Sequence, residues 1–209
     1  MVNTATLIFV CQMICCSLLF VMYIPQILKI SHSHSVVGIS LPYNYIKMLL
    51  TFTSVLVLEL SSNHFIVVMA QYVSLALSGV VLTQIVYYRW KSNERKQIYT
   101  MIVIVAIAIT SILVLLNTID DNIKIIYLLQ IVSFVVMFAQ YIPQIHELHK
   151  CKTVGDVSIT HWICKLIYTL FALVILVLSH NCLIVALTQV FNFIFTAIIF
   201  GQCLKYKEE

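Results

Sequence analysis

Tyr23-Ile24-Pro25-Gln26-Ile27 recurs 118 residues later as Tyr141-Ile142-Pro143-Gln144-Ile145, the same five residues in the same order. Held at that offset, the two ends of the chain align almost without gaps. Gln12 falls on Gln130, Ser40 on Ser158, Lys47 on Lys165, Thr51 on Thr169 and Asn63 on Asn181. Gln71/Gln189, Gln84/Gln202 and Tyr88/Tyr206 continue the series. Unrelated apolar helices would match by chance at Leu, Ile and Val. These matches are mostly polar, which marks an internal duplication.

The solvent of the duplicated unit follows from composition. Of 209 residues 62% are hydrophobic and 10% charged, with 4 Gly, and the mean hydropathy is +1.03. A soluble domain is about 45–50% apolar and about a quarter charged. One soluble core cannot absorb the excess, so the bilayer is the expected solvent. At ~20 residues per span the chain holds seven helices with short loops. That excludes a globular enzyme and leaves no room for a second domain. The net charge of +4 is too small and scattered for nucleic acid. The Cys are no disulfide framework: Cys11, Cys15, Cys16, Cys164 and Cys203 lie in apolar runs and Cys151 in a basic loop. No cleavable signal peptide is expected, because the first apolar run lacks a basic leader and ends in Pro25-Gln26.

Apolar runs near 5–28, 39–60, 64–88, 98–117, 123–145, 159–178 and 182–204 predict the spans. With Asn3 outside, alternate loops at 29–38, 89–97, 146–158 and the tail are cytosolic. They hold Lys29, Arg89, Lys91, Arg95, Lys96, Lys150, Lys152, Lys205 and Lys207, against Lys124 beside Asp120 and Asp121 on the other side. The positive-inside rule then puts the N-terminus outside or in a lumen and the C-terminus in the cytosol. A three-span unit copied directly would come out inverted; the extra span at 98–117 restores parity. The expected fold is an all-α integral membrane protein, 3+1+3, with two parallel three-helix repeats around an axis along the membrane normal. Residues 1–92 form the first repeat, 93–122 the linker helix with its flanking loops, and 123–209 the second repeat and tail.

Pro25-Gln26 and Pro143-Gln144, each followed by a basic loop and then Gly and Ser (Gly38/Ser40; Gly155/Ser158), resemble the paired PQ-loop motif. That superfamily includes cystinosin-like amino-acid transporters and, more distantly, SWEET sugar carriers. The resemblance covers essentially the whole chain and implies a seven-helix transporter without a cofactor. Ser40-Leu41-Pro42-Tyr43 is similar to the SWEET second helix, and Asn192 and Gln202 are spaced like the Asn and Gln of its seventh. Three departures stand beside this. Ser74 is the repeat mate of Asn192, Phe191 and Phe195 replace the usual SWEET Pro and Gly, and Lys165 occupies the place of the cystinosin proton-coupling Asp.

The polar residues within spans are the candidate site. Pro25 and Pro143 free the carbonyls of Val21 and Ala139, so two symmetric kinks are expected, hinges for alternating access with Gln26 and Gln144 beside them. A static kink is the plainer alternative, and Tyr23 and Tyr141 read as packing residues. Lys47 and Lys165 sit about two turns into their helices, where an ammonium costs at least ~2.5–3.5 kcal/mol. They either snorkel to the headgroups, or persist through duplication with one copy working, or face a central aqueous cavity. In the cavity, the favoured reading, they attract an anionic group or exchange protons. Gln71 with Ser74 and Gln189 with Asn192 are i, i+3 pairs on one helix face, substrate contacts or interhelical glue. Glu59 lies near the outer end. His32, His34, His146 and His149 read as solvated loop residues and no metal site is expected. Lys205-Tyr206-Lys207-Glu208-Glu209 resembles a dilysine retrieval signal.

The expected function is transport of a small polar solute, an amino acid or organic anion ahead of a sugar, without enzymatic activity. The alternative is a non-transporting receptor or scaffold that binds cargo or a cytosolic partner through loops 29–38 and 146–158. An opsin is excluded because residues 183–204 contain no Lys. Expected partners are the solute, the bilayer and in some settings a second copy as a homodimer, with no nucleic acid. The membrane would be an endomembrane in a eukaryote (lysosome- or vacuole-like, or ER) and the plasma membrane in a bacterium.

Overall fold

Serine caps start two of the helices, and left-handed residues at His34, Asn93 and Lys152 follow the ends of three. A computed structural model describes residues 4–61, 65–118, 122–179 and 183–207 of the protein. Among these residues the helices are α1 Thr4–Val21, α2 Ile24–Ser33, α3 Leu41–Leu60, α4 Phe65–Lys91, α5 Arg95–Thr118, α6 Asn122–Cys151, α7 Ile159–Ser179 and α8 Leu183–Lys205. With α1 and α2 joined as Thr6–Ser33, seven are long and apolar enough to cross a membrane. This is a multi-pass integral membrane protein. Asn3, Asn63, Asp120, Asp121, Asn181, Glu208 and Glu209 lie outside the described residues.

The repeat shows in the loops as well as the helices. His34 and Lys152, mates at the 118 offset, both take a positive φ (52° and 50°). Their N–H groups close the preceding helices on the Ile30 and Leu148 carbonyls, each at 3.0 Å. Ser40 and Ser158 then start the next helices, each Oγ accepting the N–H three residues on (Tyr43 and His161, both 3.3 Å). These two serines, read in the sequence only as part of a motif, are therefore helix caps.

Packing follows the same symmetry. Within the first repeat α4 packs on both α1 and α3; within the second, α8 packs on both α6 and α7. The repeats meet through α1 against α7 and α3 against α6, pairs that exchange under the pseudo-twofold axis. The linker helix α5 lies outside this arrangement, against α3 and α4.

Two expectations need correction. The first and fifth spans run on to Ser33 and Cys151, so residues 29–33 and 146–151 are helical and the true loops are 34–40 and 152–158. His32, His146, His149 and Cys151 are accordingly helix residues. The extra turns form because Ile30 and Leu148, mates again, are fully buried and anchor them despite polar neighbours. The kinks, moreover, are not equivalent. The first helix breaks at Met22-Tyr23, and Pro25 falls in the first turn of α2, where its missing N–H costs nothing. In the second copy α6 continues through Pro143. The reason lies across the interface. Gln26 N–H turns back to the Tyr23 carbonyl (3.1 Å), and the freed Met22 carbonyl is taken by the His161 ring at 2.6 Å. In the other half Tyr43 stands where His161 would be, and its hydroxyl is engaged by Lys165.

Candidate functional site

The PQ glutamines hold the two repeats together. Gln26 Nε2 donates to the Asp156 carbonyl (2.9 Å) and Oε1 accepts from Ser158 N–H (2.8 Å). Gln144 Nε2 donates to the Gly38 carbonyl (2.8 Å) and Oε1 accepts from Ser40 N–H (3.0 Å). Because Gly38 and Ser40 are the mates of Asp156 and Ser158, each amide clamps the other repeat's loop at the same two atoms. A primary amide suits this task, presenting one donor and one acceptor side by side. Asp156 adds two more bonds: its N–H donates to the Val37 carbonyl (2.9 Å) and Oδ2 accepts from Val37 N–H (2.8 Å).

So close an approach requires glycine. Gly155 has φ +51°, and a Cβ there would lie 2.5 Å from the Val37 oxygen; at Gly38, φ +79°, it would lie 3.0 Å from the Val154 oxygen. At about 0.5–1.5 kcal/mol net per hydrogen bond, the six bonds supply roughly 3–9 kcal/mol. That is enough to hold the basic side of the bundle shut in this state.

Behind the seal lies a void of about 20 Å³. Beyond it Lys47, Lys165, Gln71, Ser74, Gln189 and Asn192 line one central cavity of about 180 Å³. All six sequence-derived candidates therefore converge on the same space, and Gln26 and Gln144 lie beneath it in the seal. The cavity shares Leu19, Gln71, Tyr168 and Gln189 with a vestibule of about 210 Å³ toward the opposite side, which Gln12, Cys15 and Cys16 also line. Two adjoining cavities thus lie beyond the lysines on the side away from the glutamine seal.

The lysines do not snorkel. Lys165 is buried, donates to Tyr43 Oη (2.8 Å) and lies over three rings: Tyr141 at 4.7 Å, Trp162 at 4.9 Å and Tyr43 at 5.3 Å. Lys47 is half-buried, with His161 Nε2 at 3.5 Å, the Tyr23 ring at 4.4 Å and Tyr43 at 5.8 Å. The partners are crossed: Lys47 meets His161, four residues before Lys165, and Lys165 meets Tyr43, four before Lys47. Desolvated cation–π contacts are worth up to ~2 kcal/mol each, so the three rings and hydroxyl at Lys165 offset an insertion cost of ~2.5–3.5 kcal/mol. Lys47 has the looser cage and the freer ammonium.

Ser74 and Asn192 bond the PQ tyrosines. Tyr23 Oη is 3.2 Å from Ser74 Oγ, and Tyr141 Oη donates to Asn192 Oδ1. Gln189 Oε1 is buried with no hydrogen-bond partner. Sequence reasoning missed His161, Asp156 and Trp162. His161 had a signal, being the mate of Tyr43 and one turn before Lys165; Asp156 had none beyond facing Gly38 in the alignment. Arg89, counted only as a basic end charge, is buried. It donates to the Ile39 carbonyl (2.8 Å) and pairs with Glu94 and, at 3.7 Å, with Glu147. Among the described residues no cluster of three or more His, Cys, Asp or Glu is placed to hold a metal ion.

The family model of the PQ loop repeat matches residues 7–62 and 125–181, more than half of the chain. The chain belongs to the PQ-loop repeat family. The two matches begin 118 residues apart, the offset that organises the helices, the loops and the glutamine clamps. PQ-loop proteins are associated with membrane transport rather than with enzymatic activity. No curated protein matches the sequence.

Proposed function

We propose that this PQ-loop protein is a carrier for a small anionic or zwitterionic solute, an organic anion or an amino acid, moved by alternating access between its two three-helix repeats. The observation that carries the reading is the pair Lys47 and Lys165 in one buried cavity whose lining includes no Asp or Glu among the described residues. Two ammonium groups without a counter-charge favour a carboxylate between them. Gln189 Oε1, unpartnered at the junction of cavity and vestibule, suits the ammonium of an amino acid. A sugar would leave both charges unanswered.

On this reading the vestibule is the side of access in this state and the six-bond seal closes the other. Transport would release the six seal bonds and close the vestibule, with Pro25 and Pro143 placing the glutamines that make and break the clamps. The basic helix ends support an orientation with the sealed side cytosolic and the N-terminus outside or lumenal. The receptor alternative places a partner on loops 29–38 and 146–158; part of that surface is engaged within the molecule, because 34–40 and 152–158 take part in the seal.

Uptake into proteoliposomes from a mixed pool of sugars, amino acids and organic acids, read by mass spectrometry, tests the proposal. Carboxylate-bearing solutes are expected to enter. Sugars alone would overturn the substrate class, and no flux from folded protein would put the receptor alternative ahead of the carrier.

A further inference from the structure

His161 sits where the two halves of the site differ in titratable chemistry. It is buried, 4% exposed, between the Met22 carbonyl at Nδ1 (2.6 Å) and Lys47 Nζ at Nε2 (3.5 Å). A carbonyl only accepts, so Nδ1 carries the hydrogen and the neutral ring turns the Nε2 lone pair toward Lys47. An ammonium at Lys47 donates into that lone pair. A second proton on the ring would set an imidazolium N–H against an ammonium, which like charges oppose. The empty pair therefore holds one proton.

Other groups around the ring leave this arrangement intact. Tyr23, at the break between α1 and α2, has its ring centroid 5.7 Å away, and Trp162 packs beside it at 5.6 Å. From α3, Tyr43 faces Lys165, which lies one turn along α7 and adds a further positive charge. Lys29 of α2 is turned to the Val157 carbonyl (2.8 Å), and Cys15 of α1 to the Tyr168 carbonyl. The ionisable residues of α8, Cys203 and Lys205, are in its last turn at the sealed side. Asp156 is bound to Val37 in the seal.

We propose that Lys47 and His161 couple the carrier to protons, one proton entering with each carboxylate. The inference rests on the carrier reading above. A solute carboxylate between Lys47 and Lys165 neutralises the repulsion that kept the second proton off. A proton from water on the open side then forms the Nε2–H bond of His161 while Lys47 keeps its own. Proton and anion favour each other's binding, and the coupling is reciprocal. On the other side the anion leaves, repulsion returns and Nε2 releases its proton to water. One negative and one positive charge have crossed. The imidazolium also makes a charge-assisted bond to Met22, so proton occupancy is felt at the helix break. Tyr43 in the mirror position is a phenol bonded by Lys165 and has no ring nitrogen to take a proton, so one half of the molecule carries the coupling.

The test compares wild type with His161→Tyr, which places the residue of the other half, and His161→Gln. Each folded protein is reconstituted and offered the mixed pool of organic acids and amino acids under a pH gradient of either direction. For wild type, acid outside should drive accumulation of a monocarboxylate up to about tenfold per pH unit; the variants should equilibrate it without accumulation. A gradient response in the variants, or wild-type flux indifferent to the gradient, overturns the proposal. Absence of any wild-type flux is a different result, the fall of the carrier reading. In that case, or if both variants lose all flux, ¹⁵N-histidine spectra of wild type and Lys47→Gln decide on the pair. A Nδ1–H tautomer at His161 whose Nε2 resonance moves in Lys47→Gln upholds the shared proton. A Nε2–H tautomer, or a resonance indifferent to Lys47, refutes it.

Discussion

The two copies of the repeat agree at the seal and diverge at the cavity. At the seal Gln26 and Gln144 bind mate atoms of mate residues, within 0.2 Å of each other in length. At the cavity Lys165 is caged by three rings and a hydroxyl while Lys47 shares a looser site with His161. Asn192 answers Ser74, and an intact helix answers a broken one. Closing a gate between two equal halves asks the same geometry of each. Gripping one small, asymmetric solute does not, and the duplication is free to diverge there.

Removing the clamps should have the largest effect. Gln26→Ala with Gln144→Ala deletes four seal bonds, roughly 2–6 kcal/mol, and should shift the protein toward the state closed on the vestibule side. With Val67→Cys as the only cysteine, on the vestibule wall, modification by a membrane-impermeant thiol reagent should slow, by up to ~30-fold at the lower figure. By symmetry each single variant should give about half of that free energy. Unequal singles would break the equivalence of the two clamps.

The tyrosines sharpen the other side of the contrast with a smaller effect. Tyr141→Phe leaves Asn192 Oδ1 without its donor, whereas Tyr23→Phe leaves a Ser74 hydroxyl free to rotate to another acceptor. Interhelical hydrogen bonds are worth ~0.6 kcal/mol on average and up to ~1.7 in membranes. Thermal unfolding in detergent should place Tyr141→Phe near the upper figure and Tyr23→Phe near the lower. Equal losses would mean that Ser74 and Asn192 do the same work.

What was legible in the sequence is what duplication and the bilayer write into it. Hydropathy gave the spans, and the polar matches at one offset gave the repeat and the candidates Lys47, Lys165, Gln71, Ser74, Gln189 and Asn192; that all six share one cavity is seen only in the structure. Helix ends were misjudged because lysines and histidines after the PQ motif look like loop, while Ile30 and Leu148 anchor another turn. The glutamines read as neighbours of a hinge because their partners are backbone atoms of the other repeat, invisible to a residue pattern. The helix break depends on His161 reaching a carbonyl 139 positions away in the chain, a tertiary event that Pro25 alone does not dictate. Asp156 was hidden for the same reason.

The most direct measurement is the initial rate of carboxylate uptake by Lys47→Gln with Lys165→Gln in proteoliposomes, beside wild type and with folding verified by size exclusion. A charged hydrogen bond is worth ~1.5–3 kcal/mol, so losing both ammonium groups should lower the rate at least ~tenfold. Lys47→Gln alone should account for most of the loss, since its cage is the looser. A folded double variant that moves carboxylates at the wild-type rate would show that the lysines serve the bundle and not the solute.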